Sequence, residues 1–176
     1  MRSASGNNGL DGRFDEFAAA AWPRLVRSAY LLTGDHHLAE DLAQTALVRT
    51  YAHWRRVRRS DALAYTRRVL VNLNIDRIRR KHGTVDVGDA LLETVASRSD
   101  SRVDERDEAV RLLQTLTERE RQVVVLRHYF DLSEAEVADE LGVARGTVKS
   151  TLSRALGKLR VAAENGDRTY EEVVGQ

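Results

Sequence analysis

The sequence predicts an all-α fold of two small helical domains joined by a flexible linker, the second containing a helix-turn-helix. Three observations predict it. From Phe14 onward apolar residues recur at three- and four-residue intervals, with little of the alternation that marks strands. That period lapses between Gly83 and Arg106, where Asp, Gly and Ser are scattered. Then Ser133 to Arg160 sets two amphipathic halves around Gly142. The first half carries Glu134, Glu136, Asp139 and Glu140 with no base, and the second carries Arg145, Lys149, Arg154, Lys158 and Arg160 with no acid.

Taken in order, residues 1–12 read as a disordered arm, because MRSASGNNGLDG lacks the apolar core of a secretion signal or of a helix. The first domain is expected over 13–82. Phe14, Phe17, Leu25 and Tyr30 to Leu32 supply core residues, and Pro23 is expected to open a second helical piece after a break near Trp22. Gly34-Asp35 ends that segment. The next helix is expected from His36 to about Trp54, with Ala39, Leu42, Ala43, Ala46, Leu47 and Trp54 on its buried stripe. Its other side shows Asp41, Gln44, Thr45, Val48 and Ala52. An exposed Val beside Asp and Gln fits either a protein-binding face or an ordinary surface.

A basic loop, Arg55 to Ser60, leads into a helix expected from Asp61 to His82. Leu63, Ala64, Leu70, Val71, Ile75 and Ile78 define its buried side, whereas Tyr65, Arg68, Asn72, Asp76 and Arg79 lie along the other. An aromatic ring, an amide and guanidinium groups are what opened DNA requires for stacking, base-edge bonding and phosphate contact. A solvated basic helix explains the same pattern. Trp54 and Tyr51 could stack on bases too, but Trp54 falls on the core stripe, so burial is the expectation.

The segment 83–106 reads as a linker, with one turn of helix admitted around Ala90 to Leu92. Its 24 residues reach at most ~80 Å, more than two turns of DNA at ~34 Å each. The second domain is expected over 107–161. Thr117-Glu118-Arg119-Glu120 and Ser133-Glu134-Ala135-Glu136 both have the form in which a hydroxyl and a carboxylate cap a helix start. Gly142 stands where the turn needs positive φ, and Ala138 is small where a second helix crosses. Val148, Leu152, Ala155, Leu156 and Leu159 face the core. That leaves Arg145, Thr147, Lys149, Ser150, Ser153, Arg154 and Lys158 for a DNA major groove. An acidic tail, 162–176, follows and is read as mobile, either inert or able to fold back on a basic surface.

Composition bounds the function. The formal net charge is only +1, but Arg49 to His82 holds ten Arg and one Lys against Asp61 and Asp76, a local surplus of nine. The chain has no cysteine, which excludes disulfides, thiolate metal sites and a cysteine nucleophile. No histidine pair has metal-binding helical spacing, so no metal or other cofactor is expected, nor an enzyme. No apolar run nears the ~20 residues of a membrane span, so a cytoplasmic protein without membrane insertion is expected.

Three segments together resemble the extracytoplasmic-function group of bacterial RNA polymerase sigma factors, of the sigma-70 family. LAEDLAQTALVRTYAHW, Leu38 to Trp54, looks like the polymerase-binding region, and AYTRRVLVNLNIDRIRRKH, Ala64 to His82, resembles the helix that handles the −10 promoter element. Leu116 to Arg160 resembles the −35-reading domain. The resemblance implies core polymerase binding by Asp41, Gln44, Thr45 and Val48. It implies −10 contact by Asn72, with Arg55, Arg56, Arg58, Arg59 and Arg68 on the strand backbone, and the exposed side of the helix adds Tyr65 and Arg79 to this set. It matches Lys149, Ser150, Ser153 and Arg154 to the −35 element, to which the outward side of the helix adds Arg145, Thr147 and Lys158. The implied partners are core RNA polymerase and promoter DNA, and the family also admits an anti-sigma factor. Two positions depart from the pattern: Ala144, where a capping Ser is common, and Thr151, where Arg is frequent. Leu116 to Gly142 is also similar to the DNA-binding domain of response regulators, a reading that the helical first domain disfavours.

Overall fold

The computed structural model describes residues 5–81 and 108–174, with side chains from 12 to 81 and from 108 to 165. The expected linker, and the turn around Ala90 to Leu92, lie outside these residues. Every regular element among the described residues is helical: α1 (Ser5–Thr33), α2 (His36–Ala52), α3 (Ala62–Lys81), α4 (Glu108–Gln114), α5 (Glu118–Val124), α6 (Glu134–Leu141) and α7 (Arg145–Val174). They form two compact units, one built on α1 to α3 and the other on α4 to α7.

In the first unit α2 and α3 pack along their length. Ala39, Ala43 and Ala46 are fully buried, and these methyl-sized side chains let the helix backbones approach closely. Leu42, Leu47, Leu70, Val71, Leu73 and Ile78 on the same two helices are buried too, each large aliphatic group contributing about 1.5–3 kcal/mol when fully buried. A buried hydroxyl pair sits in this apolar seam: Thr50 Oγ1 lies 3.0 Å from Thr66 Oγ1, and each is 2.8 Å from the carbonyl four residues back in its own helix. Bonding side chain to side chain satisfies both groups where water cannot reach.

Helix α1 departs from expectation twice. It is already helical at Ser5, inside the stretch read as an arm, and it runs through Pro23 without the break expected near Trp22. Pro23 deprives the Ala19 carbonyl of its helical partner. Both residues are exposed, so water can take that bond while the buried side, with Ala21, Leu25 and Ser28, keeps its packing. In α3 the expected buried stripe needs adjustment. Ala64 is exposed and Ile75 half-buried, whereas Leu73 and Asn74 are buried.

The second unit begins with α4 and a tight turn into α5. Both predicted capping boxes are present. Thr117 Oγ1 accepts from the Glu120 amide at 3.2 Å while Glu120 Oε2 accepts from the Thr117 amide at 3.0 Å. Ser133 and Glu136 make the same exchange at α6. The buried Arg121 guanidinium ties α4 to α5 by donating to the Leu113 and Leu116 carbonyls at 2.9 and 3.1 Å, and it lies 3.5 Å from Glu118. The helix that Thr117 caps changes pitch at Val125 into a single π-turn, Val125–Tyr129. Asp131 follows with φ +56, a left-handed residue that turns the chain into α6.

Gly142 closes α6 with φ +65, its amide bonded to the Ala138 carbonyl. This is the left-handed cap the sequence called for. Helix α7 then continues as one element to Val174, past the boundary expected at Val161 and through most of the stretch read as a mobile tail.

Candidate nucleic-acid and protein interfaces

The face of α2 turned away from the core carries Asp41, Gln44, Thr45 and Val48, all exposed. Val48 is 62 % exposed, the most of any large apolar side chain described. Tyr51 extends this stripe by one turn and is 46 % exposed. Its ring centroid lies 4.9 Å from that of Phe14, which also meets Trp54 edge-on at 5.1 Å. Trp54 stacks on Phe17 at 5.2 Å and is buried, as its place on the core stripe predicts. The α2 stripe therefore ends on an aromatic cluster anchored in α1.

Beyond Trp54 the chain turns twice. The amides of Arg56 and Val57 both reach the His53 carbonyl, and the Asp61 amide reaches that of Arg58, at 2.8–3.2 Å. With Trp54 held in the core, Arg55, Arg56, Arg58 and Arg59 are all exposed on this loop. On α3, Arg68, Asn72, Asp76 and Arg79 are exposed along one side, as expected, and Tyr65 is half-buried with its ring 6.3 Å from that of His53. The loop and the outer side of α3 thus form one basic surface with an amide at its centre. The buried Thr50–Thr66 pair, which sequence reasoning missed, ties the helix bearing the Val48 stripe to the helix bearing Asn72.

In the second unit the seven residues assigned to the groove, Arg145, Thr147, Lys149, Ser150, Ser153, Arg154 and Lys158, are all exposed. Six have their functional groups at the surface without a long-range partner among the contacts described. Ser150 donates to the Thr147 carbonyl at 3.1 Å, and Arg154 reaches Thr151 Oγ1 at 3.4 Å, both within α7. Lys158 is different. Its ammonium is 2.8 Å from the Glu120 carboxylate, the same group that caps α5.

Two further expectations for α7 need correction. Thr151, at the position where Arg is frequent in the resembling family, is buried at 1 % exposure and so does not share the exposed side of α7. Leu156, placed on the core stripe, is 41 % exposed. Ala144 does sit at the helix start, its carbonyl accepting from the amides of Thr147 and Val148, but it offers no side-chain oxygen to the first turn. Glu120 is nearly buried. Burial pushes its carboxyl up, but the Lys158 ammonium and the bonds from Thr117 outweigh this and hold it below the ordinary carboxylate value.

Among the described residues no three His, Asp or Glu side chains gather as a metal site, and no helix is long and apolar enough to cross a membrane. The two exposed basic surfaces are therefore the chemically distinctive features. One combines arginines with an aromatic ring and an amide, and the other is a helix-turn-helix.

Comparison with known proteins identifies both units. Residues 19–84 match the family model described as Sigma-70 region 2, and residues 106–159 match Sigma-70, region 4. The chain is 38 % identical over 155 residues to the RNA polymerase sigma-E factor of Streptomyces avermitilis, covering 88 % of this chain and 87 % of that one. It is 32 % identical over 158 residues to the ECF RNA polymerase sigma factor SigL of Mycobacterium tuberculosis, covering 86 % of each. A solved structure, the sigma factor RpoE of Bartonella quintana in complex with the anti-sigma factor NepR, superposes with a TM-score of 0.67 at 27 % identity, covering 86 % of this chain and 97 % of that one. The chain belongs to the extracytoplasmic-function group of the sigma-70 family. It acts in promoter recognition and transcription initiation, with RNA polymerase and promoter DNA as its partners.

Proposed function

We propose that the labour is divided between the two units. The stripe of Asp41, Gln44, Thr45 and Val48 on α2 docks on core polymerase. The adjoining loop and α3 capture the −10 element as it opens, with Asn72 bonding to an unpaired base. Tyr65 offers a stacking surface, while Arg55, Arg56, Arg58, Arg59, Arg68 and Arg79 hold the backbone. Helix α7 enters the major groove at the −35 element through Arg145, Thr147, Lys149, Ser150, Ser153 and Arg154. The chain catalyses no reaction itself. It works in the cytoplasm, and an anti-sigma factor is a further partner, by analogy with the complex of the Bartonella protein.

A single observation supports this reading most. An exposed apolar-polar stripe and an exposed basic surface lie on adjacent helices of one unit, with the helix-turn-helix following in the order of sigma regions 2 and 4. A protein that reads duplex DNA alone has no use for the first of these. The test is co-purification with core polymerase followed by run-off transcription, beside a gel-shift on duplex without polymerase. Association with core and polymerase-dependent transcripts are expected. Tight specific duplex binding by the isolated chain, with no core association, would favour a response-regulator-like repressor or activator.

A further inference from the structure

Lys158 lies on the basic side of α7, one turn beyond Arg154, and by position alone it belongs to the DNA-binding set. Its surroundings give it another task. The Lys158 ammonium contacts both oxygens of Glu120 at 2.8 Å, 38 positions earlier in the chain. Glu120 is 1 % exposed and already caps α5 by accepting the Thr117 amide. A nearly buried carboxylate left without its cation is strongly disfavoured, so the lysine is held rather than free to swing toward a phosphate.

The contact also sits at a mechanically useful point. Helix α7 is buried at Val148, Thr151 and Ala155. These side chains are small, and the larger Leu152 and Leu159 beside them are only half-buried, so a directional contact adds to what apolar packing, which has no preferred direction, can fix about the helix axis. An ion pair one turn further on, to a rigid capping residue on another helix, supplies that restraint. Rotation of an α-helix by one residue is about 100°, so even a fraction of this would carry Lys149, Ser150 and Ser153 off the base edges.

We propose that Glu120 and Lys158 form a positioning clamp that sets the rotation of α7 in the groove, and that Lys158 makes no DNA contact of its own. This deepens the −35 reading above and rests on it. The clamp acts on sequence discrimination, whereas a phosphate contact would act on affinity for any sequence and on its salt dependence.

The experiment uses the full chain with core polymerase and duplexes randomised over the upstream element, from which the wild-type complex selects a preferred sequence. Binding is then measured, across a salt series, on the selected duplex and on one with a single substituted base pair. Glu120→Gln is the informative variant, because Gln can still complete the capping box while losing the charge that holds Lys158. Lys158→Met and Lys158→Arg accompany it, with thermal unfolding of each as a check on folding.

Discrimination by the wild type is expected to be about tenfold or more per base pair. Both Glu120→Gln and Lys158→Met should lose most of it without changing the salt slope, and Lys158→Arg should restore much of it. A slope reduced by about 0.9 in Lys158→Met alone, with discrimination intact, would make Lys158 a phosphate contact and overturn the clamp. Unchanged discrimination in both variants would overturn it as well, leaving a pair that only stabilises the fold. A wild-type complex that selects no upstream sequence would instead refute the −35 reading itself.

Discussion

At Gly142 a single backbone angle decides whether the helix-turn-helix forms. Its φ of +65 is left-handed, and a Cβ built there meets nothing within 4 Å, so substitution costs only the conformational penalty. Gly142→Ala should therefore lower the stability of the second unit by about 1–2 kcal/mol, measured by urea unfolding. Ala144 offers the opposite case. Its carbonyl starts α7 but its methyl leaves the first-turn amides without a side-chain acceptor, so Ala144→Ser should raise stability by about 1 kcal/mol in the same assay. Both positions were legible from the sequence because turn and cap chemistry is local. The role of Lys158 was not. A helical wheel shows which way a side chain points, but not what another helix brings to meet it, and Glu120 was already explained as a cap.

Elements were legible where their stop signals are local, and less so where tertiary packing overrides them. The capping boxes at Thr117 and Ser133 formed as read. Pro23 failed to break α1 because the carbonyl it strands faces solvent, while the packed side continues. The tail has no helix-stopping residue strong enough to end α7 at Val161, although its acidity suggested a change of state. The π-turn at Val125 leaves no local signature, since one extra residue in a turn looks like ordinary helical spacing. Buried polar residues were the other blind spot: Thr50, Thr66 and Asn74 are of types mostly found at the surface, yet all are buried.

Two predictions belong at this scale. Thr66→Val removes one hydroxyl from the α2–α3 seam and should cost about 1 kcal/mol of first-unit stability. Thr50→Val added to it should cost less than the sum of the two single changes, because both remove the same hydrogen bond. The Glu120–Lys158 tie joining α5 to α7 predicts a pH dependence. A carboxylate whose folded pKa lies below its ordinary value of about 4.5 contributes stability that is fully present above that value. It is lost as pH falls through the lowered folded value. Wild-type stability should therefore fall below about pH 4.5 more steeply than that of Glu120→Gln, in thermal melts taken across the acid range.

For the whole molecule, a net charge of +1 conceals two surfaces of quite different chemistry. The charge is segregated along the chain, and the fold exposes the basic parts on α3 with its preceding loop and on α7. That segregation was visible in the sequence. What the sequence left undecided was whether the Val48 stripe was surface or interface, since one exposed apolar residue is unremarkable. Its continuation through Tyr51 onto the Phe14–Phe17–Trp54 cluster arises only in the folded chain.

The central claim is that one unit both grips polymerase and captures an unpaired promoter base. Permanganate reactivity of thymines around the start site reports strand opening directly, for holoenzyme carrying either wild-type chain or Asn72→Ala on a promoter selected by the wild type. Equal core binding by both chains is predicted, with opening reduced tenfold or more by the substitution, a loss of about 1.4 kcal/mol or greater. Full opening by Asn72→Ala, with core binding unchanged, would contradict the account.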